Sequence, residues 1–195
     1  MKDPKERLIE SGSLLFSEKG FKGASIREIC KEANTGINMI HHYFGNKQGL
    51  YESILEKFSA EVFTNTLRII KKEPDTYQEF VSRFGLFVEE TLEALIRQKT
   101  SYIVVSREHV IPEAFLEYTD GFIAFISASK KKGFVREELD AEMLTGLIID
   151  RLGNQVLHSD WLKKGMGFNI ITNAEYKQRW LQGNIDLFLH GMLTK

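Results

Sequence analysis

A chain of 195 residues with 43% hydrophobic and 27% charged residues is long enough to bury a substantial core, and its composition argues against disorder. The formal net charge of −1 argues against a protein that coats nucleic acid by electrostatic attraction alone. The single cysteine, Cys30, excludes an intrachain disulfide framework. With no charged-then-apolar leader and no long apolar run, we expect a cytoplasmic protein.

Apolar residues recur at i, i+3 and i+4 through most of the chain, while proline is scarce and clean alternating runs are missing. This pattern predicts an all-α fold. Pro4 suits a first helical turn, and the apolar face that follows extends to about Glu18. We expect Gly20 to end this helix and Phe21 to pack back onto it.

Two short helices joined by a tight turn are predicted next. Ser25 and Glu28 form a capping box, in which each side chain accepts a hydrogen bond from the backbone of the other residue. Asn34 is placed to adopt a left-handed conformation, and Gly36 to cap a helix over residues 37–43. This arrangement is typical of a DNA-reading helix-turn-helix. We expect the buried side of its second helix to consist of Ile37, Ile40 and Phe44.

A long helix is predicted from Lys47 to about Ile70, with Asn46 as its N-cap. It is the expected strut between the two halves of the protein. A charged connection with one proline follows at residues 71–75. We place the domain boundary at the start of the strut, which divides the chain into residues 1–46 and 47–195.

Three further helices are expected over residues 76–97 and 101–109 and from Pro112 to Gly133. Aromatic residues at helical spacing are more typical of a core than of a ligand site, but helix-bundle cavities are built from the same groups. Arg107 is a candidate for the polar end of such a site, or equally for a structural ion pair. The candidate ligand-binding residues are Phe84, Phe87, Tyr102, Arg107, His109, Phe122 and Phe125.

The last two predicted helices, within residues 139–161 and 180–192, are the most apolar, and their stripes are wider than one neighbouring helix needs. Gly183 and Gly191 favour close helix approach. We expect these helices to form a four-helix bundle with a partner's copies. The predicted interface residues are Leu144, Ile148, Leu152, Leu181, Ile185, Phe188 and Met192. The connecting residues 163–172 are too rich in glycine to assign.

Residues 7–51 strongly resemble the DNA-binding region of the TetR family of bacterial transcriptional regulators. The resemblance combines Leu15-Phe16, Lys19-Gly20-Phe21, Ser25-x-x-Glu28-Ile29, Ala33 and Tyr43-Phe44-x-x-Lys47-x-x-Leu50-Tyr51. It implies about nine helices, an N-terminal operator-binding domain, a C-terminal domain for ligand binding and dimerisation, and no catalytic activity. Two departures, Gly36 for the usual Ser or Thr cap and His41 for a common Tyr, imply operator contacts that differ in detail.

A recognition helix reads sequence at base edges and sets register at phosphates. Asn38, with its paired donor and acceptor, and Met39, through contact with a thymine methyl group, are the predicted base-reading residues. Ser25 and Arg27 open the preceding helix and are expected to contact the DNA backbone. Phosphate or sugar contacts are assigned to His41, His42, Tyr43 and Lys47, of which Lys47 matches the family's phosphate-binding lysine. His42 is also able to contact a base. Packing in the core is the alternative for Met39 and Tyr43.

The leading hypothesis is a dimeric repressor of a palindromic operator, released when a small molecule of apolar or aromatic character moves the long helix. No cofactor is expected. His41 and His42 point about 100° apart on a helix and have no acid or Cys at i+4, which argues against a metal site. An α-helical enzyme would need clustered acids or histidines in the core, and none is visible. The remaining alternative is a ligand- or protein-binding helical module that does not bind DNA.

Overall fold

The computed structural model describes residues 3–193, and most of this range is helical, which confirms the predicted all-α class. Within the described range β pairing is limited to one isolated antiparallel bridge between Val135 and Leu193. No helix there combines the length and the apolar character needed to cross a membrane. The helices are α1 (Pro4–Gly23), α2 (Ile26–Glu32), α3 (Asn38–Phe44), α4 (Lys47–Ser59), α5 (Asn65–Ile70), α6 (Tyr77–Arg97), α7 (Lys99–Glu108), α8 (Glu113–Lys131), α9 (Ala141–Leu157), α10 (Ser159–Met166) and α11 (Ala174–Met192).

The predicted strut is helical from Lys47 to Ile70, but a π-helical turn at Ala60–Thr64 separates α4 from α5. The chain divides into two compact units at this turn. The first unit contains the described residues up to Ala60 together with Gln98–Pro112, and the second contains Glu61–Arg97 and the described residues from Glu113 onward. These units are not the predicted domains 1–46 and 47–195. That division, which is a division by function, stays a prediction.

The first unit is built from α1, α2, α3, α4 and α7. Its core includes Ile29, Ile40, Leu50 and Ile54, none of which has any exposed surface. Leu50 and Ile54 come from α4, so the first half of the long helix completes the core of the unit that carries the helix-turn-helix. Gly20 interrupts α1 with a φ of 73°, as predicted, although the helix resumes for a short distance beyond it.

The second unit packs α5, α6, α8, α9 and α11 around a cluster of aromatic side chains. At Gly121 of α8 an added Cβ would overlap the side chain of Leu67 on α5, so these two helices approach closely. Arg83 of α6 donates a hydrogen bond to the carbonyl oxygen of Ile69, at 2.7 Å, and so ties α6 to the end of α5. The predicted helix over residues 139–161 is too long at both ends. Helix α9 runs from Ala141 to Leu157, so Leu139 precedes it and Trp161 belongs to the separate helix α10.

We predict that Gly49→Ala destabilises the protein by about 1–3 kcal/mol or more, because an added Cβ would overlap the backbone carbonyl oxygen of Phe44, which a rotamer change cannot relieve. Gly165→Ala is the matched control, because an added Cβ there meets nothing within 4 Å and alanine favours a helix. Thermal unfolding followed by circular dichroism compares the two. Equal melting temperatures for both variants would show that the turn between α3 and α4 is not constrained as described.

Candidate nucleic-acid interface

The start of α2 is held by the predicted capping box. The Glu28 backbone N–H donates to Ser25 Oγ at 3.2 Å, and the Ser25 backbone N–H donates to Glu28 Oε2 at 2.9 Å. Lys19 Nζ approaches Glu28 Oε1 to 2.6 Å. The hydrogen bonds from Lys19 and then from Ser25 lower the pKa of Glu28 from 4.5 to about 2. The N-terminus of α2 is therefore a fixed point of the helix-turn-helix.

The turn between α2 and α3 follows the predicted left-handed conformation at Asn34, where φ is 49°. The Thr35 backbone N–H donates to the carbonyl oxygen of Cys30 at 2.9 Å and closes the turn. Ile37, and not Gly36, immediately precedes α3, and its side chain makes no capping hydrogen bond.

The prediction that Ile37 is buried is wrong, because 45% of its surface is exposed. Helix α3 begins at Asn38, one residue later than predicted, so Ile37 lies in the turn and outside the inward face. Ile40 is fully buried, as predicted. Phe44, together with Met39 and Tyr43, is partly buried against the same core. Helix α3 therefore directs three apolar side chains besides Ile40 toward the core.

The predicted DNA-contacting residues divide into two groups. Met39 and Tyr43 are partly buried, which is the packing alternative considered for them, and the Tyr43 ring meets the His42 ring at 4.8 Å between centroids. His41 keeps a fixed orientation because its Nδ1 lies 2.8 Å from the carbonyl oxygen of Gly45. The exposed group consists of Ser25, Arg27, Asn38, His41 and His42.

Lys47 begins α4 immediately after the predicted N-cap, Asn46, whose side chain accepts a hydrogen bond from the Gly49 backbone N–H at 3.0 Å. The Lys47 ammonium group lies 4.6 Å from the centre of the Phe21 ring and 5.9 Å from that of Phe16. A cation in the first turn is opposite to what the helix dipole favours. The aromatic faces offset part of this cost and hold the ammonium group in place.

Comparison with known proteins agrees with this geometry. Residues 8–54 match the family model described as bacterial regulatory proteins, tetR family. Residues 8–54 are a DNA-binding region of the TetR family.

Individual proteins resemble the chain over different lengths. YttP of Bacillus subtilis, a probable HTH-type transcriptional regulator, is 43% identical over 63 residues, which are 32% of this chain and 30% of that protein. The HTH-type transcriptional repressor KstR2 of Rhodococcus jostii is 23% identical over 188 residues, covering 86% of this chain and 84% of the repressor. The structure of the ketosteroid regulator KstR2 of Mycobacterium tuberculosis superposes with a TM-score of 0.75 at 16% identity, covering 100% of this chain and 97% of that one, and so has the same fold.

The residues predicted to bind a ligand lie in both units. The four phenylalanines belong to the second unit, where Phe87 lies 4.6 Å from Phe122 between ring centroids. In the first unit, Tyr102 stacks on Phe58 and Arg107 donates to the carbonyl oxygen of Ser17 at 3.0 Å. The four phenylalanines are all fully or almost fully buried: Phe84, Phe87, Phe122 and Phe125. His109 ends α7 in a left-handed conformation with a φ of 53°. The ligand assignment stays a prediction.

The aromatic cluster contains one polar pair that the sequence did not predict. The Tyr118 hydroxyl lies 3.3 Å from Thr91 Oγ1, and both residues are buried. Burial raises the pKa of the Tyr118 phenol well above its ordinary value, so the hydroxyl stays protonated. The only signal in the sequence was a threonine and a tyrosine within two otherwise apolar stripes.

The predicted dimer residues lie on the expected helices, but mostly on their inner sides. Ile148, Leu152, Phe188 and Met192 are at most 7% exposed and pack within their own unit, while Leu144, Leu181 and Ile185 are half-buried. The outer sides of α9 and α11 carry Met143, Leu147 and Leu187, which are exposed by 75%, 55% and 68%. A partner would meet these side chains first. The predicted interface stays a prediction, although four of its seven residues are buried within their own unit.

We predict that Glu28→Gln lowers the melting temperature at neutral pH and that the difference from the wild type shrinks as the pH falls. The pKa of Glu28 in the folded protein is about 2, below its ordinary value of 4.5. The ionised carboxylate therefore stabilises the fold fully above pH 4.5, and this stabilisation is lost as the pH falls toward 2. Glu32→Gln, which removes a charge from the same helix outside the capping box, is the control. A Glu28→Gln difference that stayed constant between pH 7 and about pH 3 would contradict the capping role.

Proposed function

We propose that the chain is a dimeric transcriptional repressor that binds a palindromic DNA operator and leaves it when a small molecule binds the second unit. The observation that carries the proposal is the exposed polar surface of the helix-turn-helix. Asn38, His41 and His42 project from α3, and the ammonium group of Lys47 is held at the start of α4. A rigid helix with polar side chains outward is what reading a major groove requires.

The polar side chains of the helix-turn-helix, together with Lys47, fit a division between phosphate and base contacts. Lys47 and Arg27 carry the positive charges for phosphates, whereas the Nδ1 of His41 is already engaged by the carbonyl oxygen of Gly45. Asn38 is the residue best suited to a base edge, since its amide group both donates and accepts. With a formal net charge of −1 for the whole chain, affinity for a specific operator depends on these few contacts repeated in two half-sites.

The dimer surface that we propose is formed by the outer sides of α9 and α11. Just before α9, the backbone N–H of Arg136 donates to the carbonyl oxygen of Met192 at the end of α11. Later in α9, Arg151 donates to the side-chain oxygen of Asn184, earlier in α11, at 2.8 Å. The two helices therefore run antiparallel. An added Cβ at Gly183 or Gly191 meets nothing within 4 Å. Helix surface that lacks side chains, next to exposed aliphatic residues, suits close packing against a second copy of the chain.

The effector that we propose is largely apolar and carries at least one hydrogen-bonding oxygen. The second unit offers mainly aromatic surface in its interior, with the Tyr118 and Thr91 hydroxyl groups as a polar pair within it. The related protein from Mycobacterium tuberculosis is named a ketosteroid regulator, which supports an effector of this character.

Coupling between effector and operator is proposed to run through the helix that joins the units. Its π-helical turn at Ala60–Thr64 is a position where the hydrogen-bond register of the helix already departs from the α pattern. An effector that prefers a displaced position of this helix would change the separation of the two recognition helices, which must reach major grooves about 34 Å apart. The effect is limited to the difference in effector affinity between the two conformations.

We predict that Lys47→Ala weakens binding to every DNA sequence and lowers the slope of log K against log salt by about 0.9 per subunit, because one phosphate contact is lost. Asn38→Ala is expected to reduce discrimination at one base pair of each half-site by about 1–3 kcal/mol. Fluorescence anisotropy across a salt series, on duplexes selected from a random-sequence pool, measures both effects. Lys164→Ala, which removes a lysine from the second unit, is the control. Two variants that bind like the wild type would refute the recognition-helix assignment.

We predict that Leu187→Asp converts the dimer to a monomer, because a carboxylate would be buried without a partner at the proposed interface. Leu116→Asp places the same charge at a residue of α8 that is 54% exposed, and is expected to leave the dimer intact. Sedimentation equilibrium distinguishes the outcomes. A dimeric Leu187→Asp variant, or a wild-type monomer, would exclude this surface.

A further inference from the structure

Ile37 is an exposed aliphatic side chain at the point where α3 begins. Single exposed aliphatic residues are common on protein surfaces and need no explanation by themselves. Ile37 differs because its neighbours on both sides, Gly36 and Asn38, are also exposed and Asn38 is the proposed base-reading residue. The side chain therefore belongs to the surface that would face the major groove.

The backbone around Ile37 is fixed in several places. The Ile40 backbone N–H donates to the Ile37 carbonyl oxygen at 3.1 Å, and the Met39 backbone N–H donates to that of Gly36 at 3.0 Å. Ile37 itself has helical angles, with φ −59° and ψ −32°. A β-branched side chain on such a backbone has few rotamers. It therefore loses little conformational entropy when it contacts a base.

The apolar group available to a base edge in the major groove is the C5-methyl group of thymine. Sequence reasoning assigned that contact to Met39, but the Met39 side chain is partly buried against the core of the first unit. Ile37 is 45% exposed and precedes Asn38 directly. We propose that Ile37 reads a thymine in each half-site through its methyl group, beside the base contacted by Asn38. This inference rests on the proposed operator-binding function.

The test is a double-mutant cycle between protein and DNA. A duplex is first selected from a random-sequence pool by the wild-type protein, and each thymine of its half-sites is then replaced by uracil, which removes only the C5-methyl group. We expect one position per half-site at which uracil weakens wild-type binding about fourfold, as for one buried methyl group. Ile37→Ala should weaken binding to the thymine duplex to a similar degree and be insensitive to uracil at that position.

Three further variants make the result specific. Leu14→Ala removes another exposed aliphatic side chain of the first unit, 39% exposed, and should retain wild-type affinity and the full uracil effect. Ile37→Val, which keeps the β-branch, should retain most of the effect and shows that the loss in Ile37→Ala is not a folding defect. Met39→Ala should remain sensitive to uracil.

The outcomes separate this inference from the function on which it rests. If the wild-type protein enriches no sequence from the pool, both the operator-binding function and the role of Ile37 are wrong. If it enriches a sequence but Ile37→Ala keeps the full uracil effect at every position, the role of Ile37 alone is wrong. A uracil effect that disappears in Met39→Ala and persists in Ile37→Ala would assign the thymine contact to Met39.

Discussion

The close approach of Gly49 to the carbonyl oxygen of Phe44 is the constraint on which the DNA-binding geometry depends. A side chain at residue 49 would overlap that oxygen, so the end of α3 lies directly against the first turn of α4. The Asn46 side chain accepts a hydrogen bond from the Gly49 backbone N–H, which adds a directional polar contact at the same junction. The recognition helix α3 and the first turns of α4 are therefore held in a fixed orientation relative to each other. A displacement of α4 would move α3 with it.

Local features of the helix-turn-helix and of its junction with α4 could be predicted from the sequence, because each depends on a few neighbouring residues. The capping box of Ser25 and Glu28, the left-handed Asn34 and the N-cap Asn46 all have short-range signatures, and the structure confirms all three. The position of Ile37 could not be predicted in the same way. Glycine is a weak signal for a helix start, and an error of one residue there turns an exposed side chain into an apparently buried one.

Longer-range features were harder to predict, because a stripe of apolar residues on a helix does not show which other surface packs against it. On α9 and α11 the inward stripe and the exposed one are both apolar, so periodicity identified the helices but selected Ile148 and Phe188, which fill their own core, over Leu147 and Leu187. The polar pair of Tyr118 and Thr91 is formed by residues of α8 and α6 that are distant in the chain. Only the tertiary fold brings such groups together.

The account requires two recognition helices to meet one operator with twofold symmetry. Hydroxyl-radical footprinting of the wild-type protein on the DNA flanking its own gene tests this requirement most directly. We expect two equivalent protected windows related by a dyad, with their centres about 34 Å, or one helical turn, apart. A single window, two windows without dyad symmetry, or uniform protection that disappears in competitor DNA would contradict a dimeric operator-binding regulator.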